Sequence, residues 1–200
     1  MNGIERYWAF QRECVNCALL EMIDVSLRHG LETNRPIYLL PRPTTKDQAL
    51  RNLRAFSDEG KMNELERPSF FEPYVPSIRV NTCLGWTVVK GSSINRALER
   101  AKILEDVDNN HIYFAIVYHF VPKAELNADA ILSQSDHFHI TGFCNMPFNK
   151  ANWLGDGVLV DFSDIVSPFA DEREWDKQRY AMHKKWYHGA VRGLAEKRLL

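Results

Sequence analysis

Four cysteines and seven histidines carry most of the chemistry open to this chain. Two segments set them beside useful neighbours. One is Gln11-Arg12-Glu13-Cys14-Val15-Asn16-Cys17-Ala18, and the other is Asp136-His137-Phe138-His139-Ile140-Thr141-Gly142-Phe143. A thiol and an imidazole brought together make a hydrolase. The thiolate attacks, and the imidazole removes and returns the proton. An unperturbed thiol titrates near pH ~8.5, so a helix N-terminus or an adjacent imidazolium is needed to favour the thiolate. Apolar residues Cys17, Leu20, Ile23 and Leu27 recur at three and four, which predicts a helix over Glu13–His29 with Cys17 within its first turn or so. His137, expected on a strand, would be the base if that strand crosses the helix end. The backbone N–H of Cys17 and the side-chain amide of Gln11 would face the developing oxyanion. Asp161, 24 residues beyond His137, is the expected orienter of the imidazole, with Asn145 and Asn152 as alternatives.

The same residues admit other readings. Cys14, Cys17, His137 and His139 make a Cys2His2 set for tetrahedral zinc, with Cys144 as a further contributor. Cys17 also reads as an inert core thiol, and either histidine as a hydrogen-bonded core residue. On a strand, His137 and His139 would point to one face. A redox role for the C-x-x-C pair lacks a preceding βαβ unit. Asp106, Asp108 and Asn109 lack the remaining ligands of a calcium loop, and no glycine-rich phosphate loop is present.

The elements that must position these groups follow from pattern. After the first helix, with Gly30 as its stop, comes a proline-bearing loop with an extended piece at Ile37–Leu40. Lys46–Phe56 reads as a second helix, and residues 57–76 as a loop pinned by Phe70, Phe71 and Tyr74. Strands are expected over 78–83 and 85–89. A helix follows from Ser92 or Ser93 to about Glu105, facing inward through Ile94, Ala97, Leu98, Ala101 and Ile103 or Leu104. The run HIYFAIVYHFVP is the strongest strand signal. Asp136–Asn145 and Gly157–Phe162 are expected strands, with Trp153 in the loop between them and a turn at Gly155-Asp156-Gly157. The last thirty residues read as a helix with Trp175, Met182, Trp186, Ala190 and Leu194 on its packing face. The expected architecture is α+β: one domain over 1–200, with N-terminal helices on a mainly antiparallel sheet and a C-terminal closing helix.

Composition bounds the rest. With 25 basic and 26 acidic residues the chain offers no basic footprint for nucleic acid. No apolar run is long enough for a bilayer, and the charged N-terminus has no signal core. Four cysteines without a secretory signal fit free thiols, either in the cytoplasm or in an effector exported without a cleaved signal.

The two segments resemble papain-like cysteine peptidases. That family has a Gln six residues before the nucleophile in a Q-x-x-C-x-x-C segment, as Gln11, Cys14 and Cys17 stand here. It also has an Asp-His pair at a strand start before a Gly-aromatic pair, as Asp136, His137, Gly142 and Phe143 do. The Cys14–Ala18 stretch is similar to the start of papain-fold toxin domains in bacterial polymorphic toxins. The resemblance implies a papain-like fold, no cofactor, and a protein or peptide substrate whose amide is cleaved or deamidated. The family's Asn-Ser-Trp segment after the His is missing. A papain-shaped interaction domain without catalysis is therefore the alternative, alongside the zinc-stabilised Cys2His2 domain.

Overall fold

The computed structural model describes residues 9–60, 68–76, 80–145 and 149–191. The architecture is α+β, with short antiparallel strand pairs. It falls into two compact units. The first holds the described residues up to Asn81 and from Val121 onward; the second is Thr82–Phe120.

In the first unit, helix α1 spans Ala9–Glu32. It runs past Gly30 and ends where Asn34 takes a left-handed turn at φ 53°. Strand β1 (Ile37–Leu39) pairs antiparallel with β2 (Glu72–Tyr74), so that Ile37 faces Tyr74. Between them lies α2 (Lys46–Arg54), opened by a capping box: Thr45 Oγ1 accepts from Gln48 N–H, and Gln48 Oε1 accepts from Thr45 N–H. Buried Asn52 on α2 bonds the Leu40 backbone through both its amide atoms and donates to Ile140 O at 2.8 Å.

Ile140 ends helix α4 (Ala128–Ile140), the segment in which a strand was expected from Asp136. Its start explains the difference. Asn127 Oδ1 caps Asp129 and Ala130 N–H, which nucleates a helix that continues through the Asp-His segment. Ile131, Ser135 and Phe138, spaced four and three apart, are buried on its inner face. After α4 the chain turns at Gly142, at φ +106°. An added Cβ there would lie 2.6 Å from Ala49 O of α2, so only glycine lets the two helices approach this closely.

The strands beyond α4 are short. β5 (Cys144–Asn145) pairs with β8 (Ile165–Val166), and β6 (Trp153–Leu154) with β7 (Val158–Leu159), around the expected turn at Gly155–Gly157. Trp153 is therefore buried in a strand rather than set in a loop. Expected as the head of the closing helix, Trp175 lies before it and is buried beside Tyr180, Cys144, Val166 and Ala49. The closing helix proper is α5 (Lys177–Ala181), followed by a π-helical turn over Lys184–His188. Its buried residues are Tyr180, His183, Tyr187 and Val191, while Trp186, placed by pattern on the packing face, is exposed. Leu194 lies outside the described residues.

In the second unit, β3 (Cys83–Lys90) pairs antiparallel with β4 (Ile112–Tyr118), with helix α3 (Gly91–Ala101) between them in sequence. Residue 78 and its successor lie outside the described residues, and the strand begins at Cys83. Lys90 rather than a serine is the N-cap of α3. The inward face expected on α3 is only half-covered at Ile94 and Leu98, and Ala97, Ala101, Ile103 and Leu104 are exposed.

Candidate functional site

The cysteine segment sits differently from the expectation. Cys17 is the ninth residue of α1, two turns inside the helix, and buried. A backbone N–H so deep in a helix belongs to the i→i−4 ladder, so it neither sees the free helix terminus nor serves as an oxyanion donor. Gln11 lies on the same helix and is exposed. Six helical residues separate the amide from the thiol by about 9 Å along the axis and about 120° around it, too far to face one carbonyl. The neighbouring residues fasten α1 instead. Buried Asn16 donates to Phe162 O at 2.7 Å and to Ile165 O at 2.8 Å, and Arg12 bonds Ser163 O and pairs with Glu174 at 3.2 Å. Cys14 is half-buried on the same helix.

Asp161 is a local cap. Its Oδ1 accepts from Ser163 N–H and Oγ–H, and its Oδ2 accepts from Asn152 at 3.2 Å. His137 is buried on α4, and the hydrogen-bond partner of its Nδ1 is Tyr74 Oη at 2.7 Å, neither Cys17 nor Asp161. Burial holds the His137 imidazole down to about 3 and, with the charge of Asp136, pushes the Tyr74 hydroxyl up. Tyr74 is thus the donor and a neutral His137 the acceptor. An imidazole held neutral so far below 7 is a weak base for thiol chemistry at neutral pH. Cys144, placed among the metal candidates by sequence, is a core thiol that burial pushes up to about 11.

Because α4 is a helix, His137 and His139 do not share a face. At 100° per residue they point to opposite sides. His139 meets the C-terminal segment. Its ring packs on Tyr180 at 4.3 Å between centroids and lies parallel to His183 at 4.4 Å. His139 and Tyr180 also bond reciprocally: Tyr180 Oη donates to His139 O at 2.8 Å, and His139 Nε2 donates to Tyr180 O at 3.1 Å. Burial, then the charge of His183, lowers His139 to about 3, so its ring is neutral and Nε2 carries the proton.

Asp136, one turn before His139, gathers the remaining groups. Its Oδ1 receives His183 Nε2 at 2.9 Å and His188 Nε2 at 2.8 Å. Partial burial pushes the Asp136 carboxyl up, but the hydrogen bonds from His183 and His188, and the charge those rings carry when protonated, outweigh it and bring it down to about 2. The three ligand atoms all lie within 4.8 Å of one another, and among the described residues this is the one such gathering of histidine, cysteine and carboxylate. The expected set of Cys14, Cys17, His137 and His139 does not form one.

The π turn explains the convergence. Residues five apart on an α-helix are rotated about 140° from each other, whereas an i→i+5 closure sets them one above the other. His183 and His188 thereby face the same carboxylate. Sequence patterns tuned to three and four miss this spacing. The nearest signal was the pair of histidines in Met182-His183-Lys184-Lys185-Trp186-Tyr187-His188. Behind His183, Asn145 Nδ2 lies 3.3 Å from Nδ1 and 2.9 Å from Ser135 Oγ, all buried. His183 is buried, His188 half-buried and Asp136 open to solvent over 42% of its side chain, so the group closes on the protein side and opens on the other.

Among known proteins, no family model matches the chain, and no curated protein or solved structure matches it. The likeness to papain-like peptidases therefore rests on its two short segments.

Proposed function

We propose that this chain is a divalent-metal protein of the hydrolase type, centred on Asp136, His183 and His188, with zinc as the ion. The observation that carries the reading is the convergence of two imidazole Nε2 atoms on one carboxylate oxygen at 2.8 and 2.9 Å, at a site open on one side. Two neutral imidazoles and a carboxylate are the donors of catalytic zinc sites, which keep a fourth position for water. A tetrahedral ion needs donors about 3.4 Å apart, within a small adjustment of the present spacing. Such an ion lowers the pKa of its bound water to ~7 and polarises a carbonyl or phosphoryl oxygen. The chain's own contribution is to hold the ligands: His139 and Tyr187 stacked with the His183 ring, and the π turn beneath His188.

This reading keeps the hydrolase expectation and changes its machinery. A thiol deep in α1, an exposed Gln11 and a His137 bonded to Tyr74 favour the metal route over the cysteine route.

The test is zinc titration of the purified chain by calorimetry and metal analysis. One equivalent is expected, weakened at least 100-fold by His188→Ala and unchanged by Cys17→Ala. Zinc-dependent turnover of p-nitrophenyl acetate or bis-p-nitrophenyl phosphate, lost in His188→Ala, is expected alongside. Failure to bind zinc stoichiometrically refutes the centre; binding without turnover of either probe refutes the hydrolase assignment.

A further inference from the structure

One charged side chain beside the metal site has no part in holding it. On a π turn successive residues are roughly 80° apart, so the two that flank the line of His183 and His188 are Lys184 and Tyr187. Their surroundings are opposite. Tyr187 is buried and its ring stacks with His183 at 5.7 Å between centroids. Its hydroxyl, pushed up first by burial, also feels the charge of Asp164. Lys184 is exposed. It stands on the flank toward solvent, where Asp136 is 42% open. The His139 ring, held down first by burial and then by His183, also feels the positive charge of Lys184. Among the described residues no carboxylate pairs with Lys184.

We propose that the metal centre acts on a small phosphate ester, one of whose phosphoryl oxygens is held by the Lys184 ammonium. The inference rests on the metal reading above and names the substrate for it. Charge decides the class. A carboxylic ester or amide arrives neutral, and one metal ion suffices to polarise its carbonyl. A phosphate ester carries negative charge on its non-bridging oxygens from the start and gains from a second cation, so a lysine beside a metal ion suits it. Lys184 is that second cation. Its setting has the same sign: residues 177–191 hold Lys177, Arg179, Lys184 and Lys185 and no acidic residue, although the whole chain has net charge -1. Such a segment draws anions toward the site. A nucleic-acid backbone needs a row of cations over several phosphates. Here Lys184 alone flanks the ligands, while Lys185 lies on the far side of the turn and Arg179 bonds Asp176, so the ester is small.

The reaction balances with water as the only other reactant. The water oxygen bonds to phosphorus, and the bond from phosphorus to the alcohol oxygen breaks with its electron pair on that oxygen. One water proton stays on the new hydroxyl and the other passes to the alcohol. Lys184 keeps its proton throughout. It is a binding residue that offsets the charge spread over the equatorial phosphoryl oxygens.

The experiment uses the full chain loaded with zinc, with bis-p-nitrophenyl phosphate as the anionic probe and p-nitrophenyl acetate as the neutral one. Each rate is taken relative to uncatalysed hydrolysis of the same probe. The phosphate is expected to be accelerated about 100-fold more than the acetate. Lys184→Gln should lower that preference about 10-fold, chiefly through KM. Lys184→Arg should recover most of it, and Lys185→Gln should leave it unchanged. A second readout needs no turnover: inorganic phosphate should bind the zinc-loaded chain about 10-fold more weakly in Lys184→Gln by calorimetry. Circular dichroism checks that each variant is folded. Failure to load zinc, seen by metal analysis, refutes the metal centre and this inference with it. With zinc bound, equal acceleration of the two probes, phosphate binding unmoved by Lys184→Gln, or equal effects at positions 184 and 185 overturn the substrate class alone. Inhibition by single-stranded DNA at concentrations far below those needed of inorganic phosphate overturns the choice of a small ester.

Discussion

Acid should unfold this protein early, and His137 should be one of two buried imidazoles responsible. The ring is 3% exposed, accepts the Tyr74 hydroxyl at Nδ1, and titrates in the folded state at about 3 rather than 6.5. The folded pKa is depressed, so the unfolded chain binds the proton more readily. The stabilisation is fully present above pH 6.5 and is lost progressively as pH falls toward the folded value. Each pH unit inside that window costs up to about 1.4 kcal/mol, so going from pH 6.5 to 5.0 removes about 2 kcal/mol through this group alone. That is a large part of a stability of ~5–15 kcal/mol. His139, also lowered to about 3, adds a second increment of the same sign over the same window. The assay is urea unfolding at several pH values between 7.5 and 5.0, followed by far-ultraviolet circular dichroism. His137→Gln keeps an acceptor for Tyr74 without the titration, and should flatten the slope by about 1.4 kcal/mol per pH unit. If wild type and His137→Gln lose stability in parallel between pH 6.5 and 5.0, the buried neutral imidazole is not the cause and the reasoning fails.

Other outcomes follow from the site and its supports. Zinc on His183 Nε2 requires the proton on Nδ1, where Asn145 now presents its amide N–H. Asn145→Asp supplies an acceptor and should tighten zinc about 10-fold by calorimetry. Deleting Lys185, an exposed residue of the π turn, should restore an α-helix in which the two ligands stand four apart, still on one face. Zinc stoichiometry should survive that deletion, while inserting an alanine at the same point should abolish it. Gly142→Ala should cost roughly 3 kcal/mol or more in urea unfolding, because a Cβ would press on Ala49 O in a left-handed backbone.

Much of the fold was legible. Periodicity found α1 and α2; the β-branched and aromatic run found β4; the Gly-Asp-Gly turn marked the β6–β7 hairpin. The Asp-His segment misled because His137 and His139 alternate with apolar neighbours, a strand-like pattern, while the signal that decides the segment is Asn127, nine residues before Asp136. The candidate site was half legible. Asp136 was in view as a companion of His137, but its partners depend on a π turn, whose period no pattern search at 3.6 detects. Cys17 and Gln11 showed the spacing of a known motif. Spacing alone does not say where a helix begins, and here it already includes Gln11.

The two-way bond between His139 and Tyr180 acts as a dowel. It fixes α5 against α4 at one register, and Asp136 stands three residues before one end of the dowel as His183 stands three after the other. Sliding either helix by a turn would break both bonds together and carry the histidines about 5 Å from their carboxylate. Whatever tunes the strength of that peg also sets whether the ligands meet, so a change at Tyr180, which is not itself a ligand, would be felt first at the carboxylate.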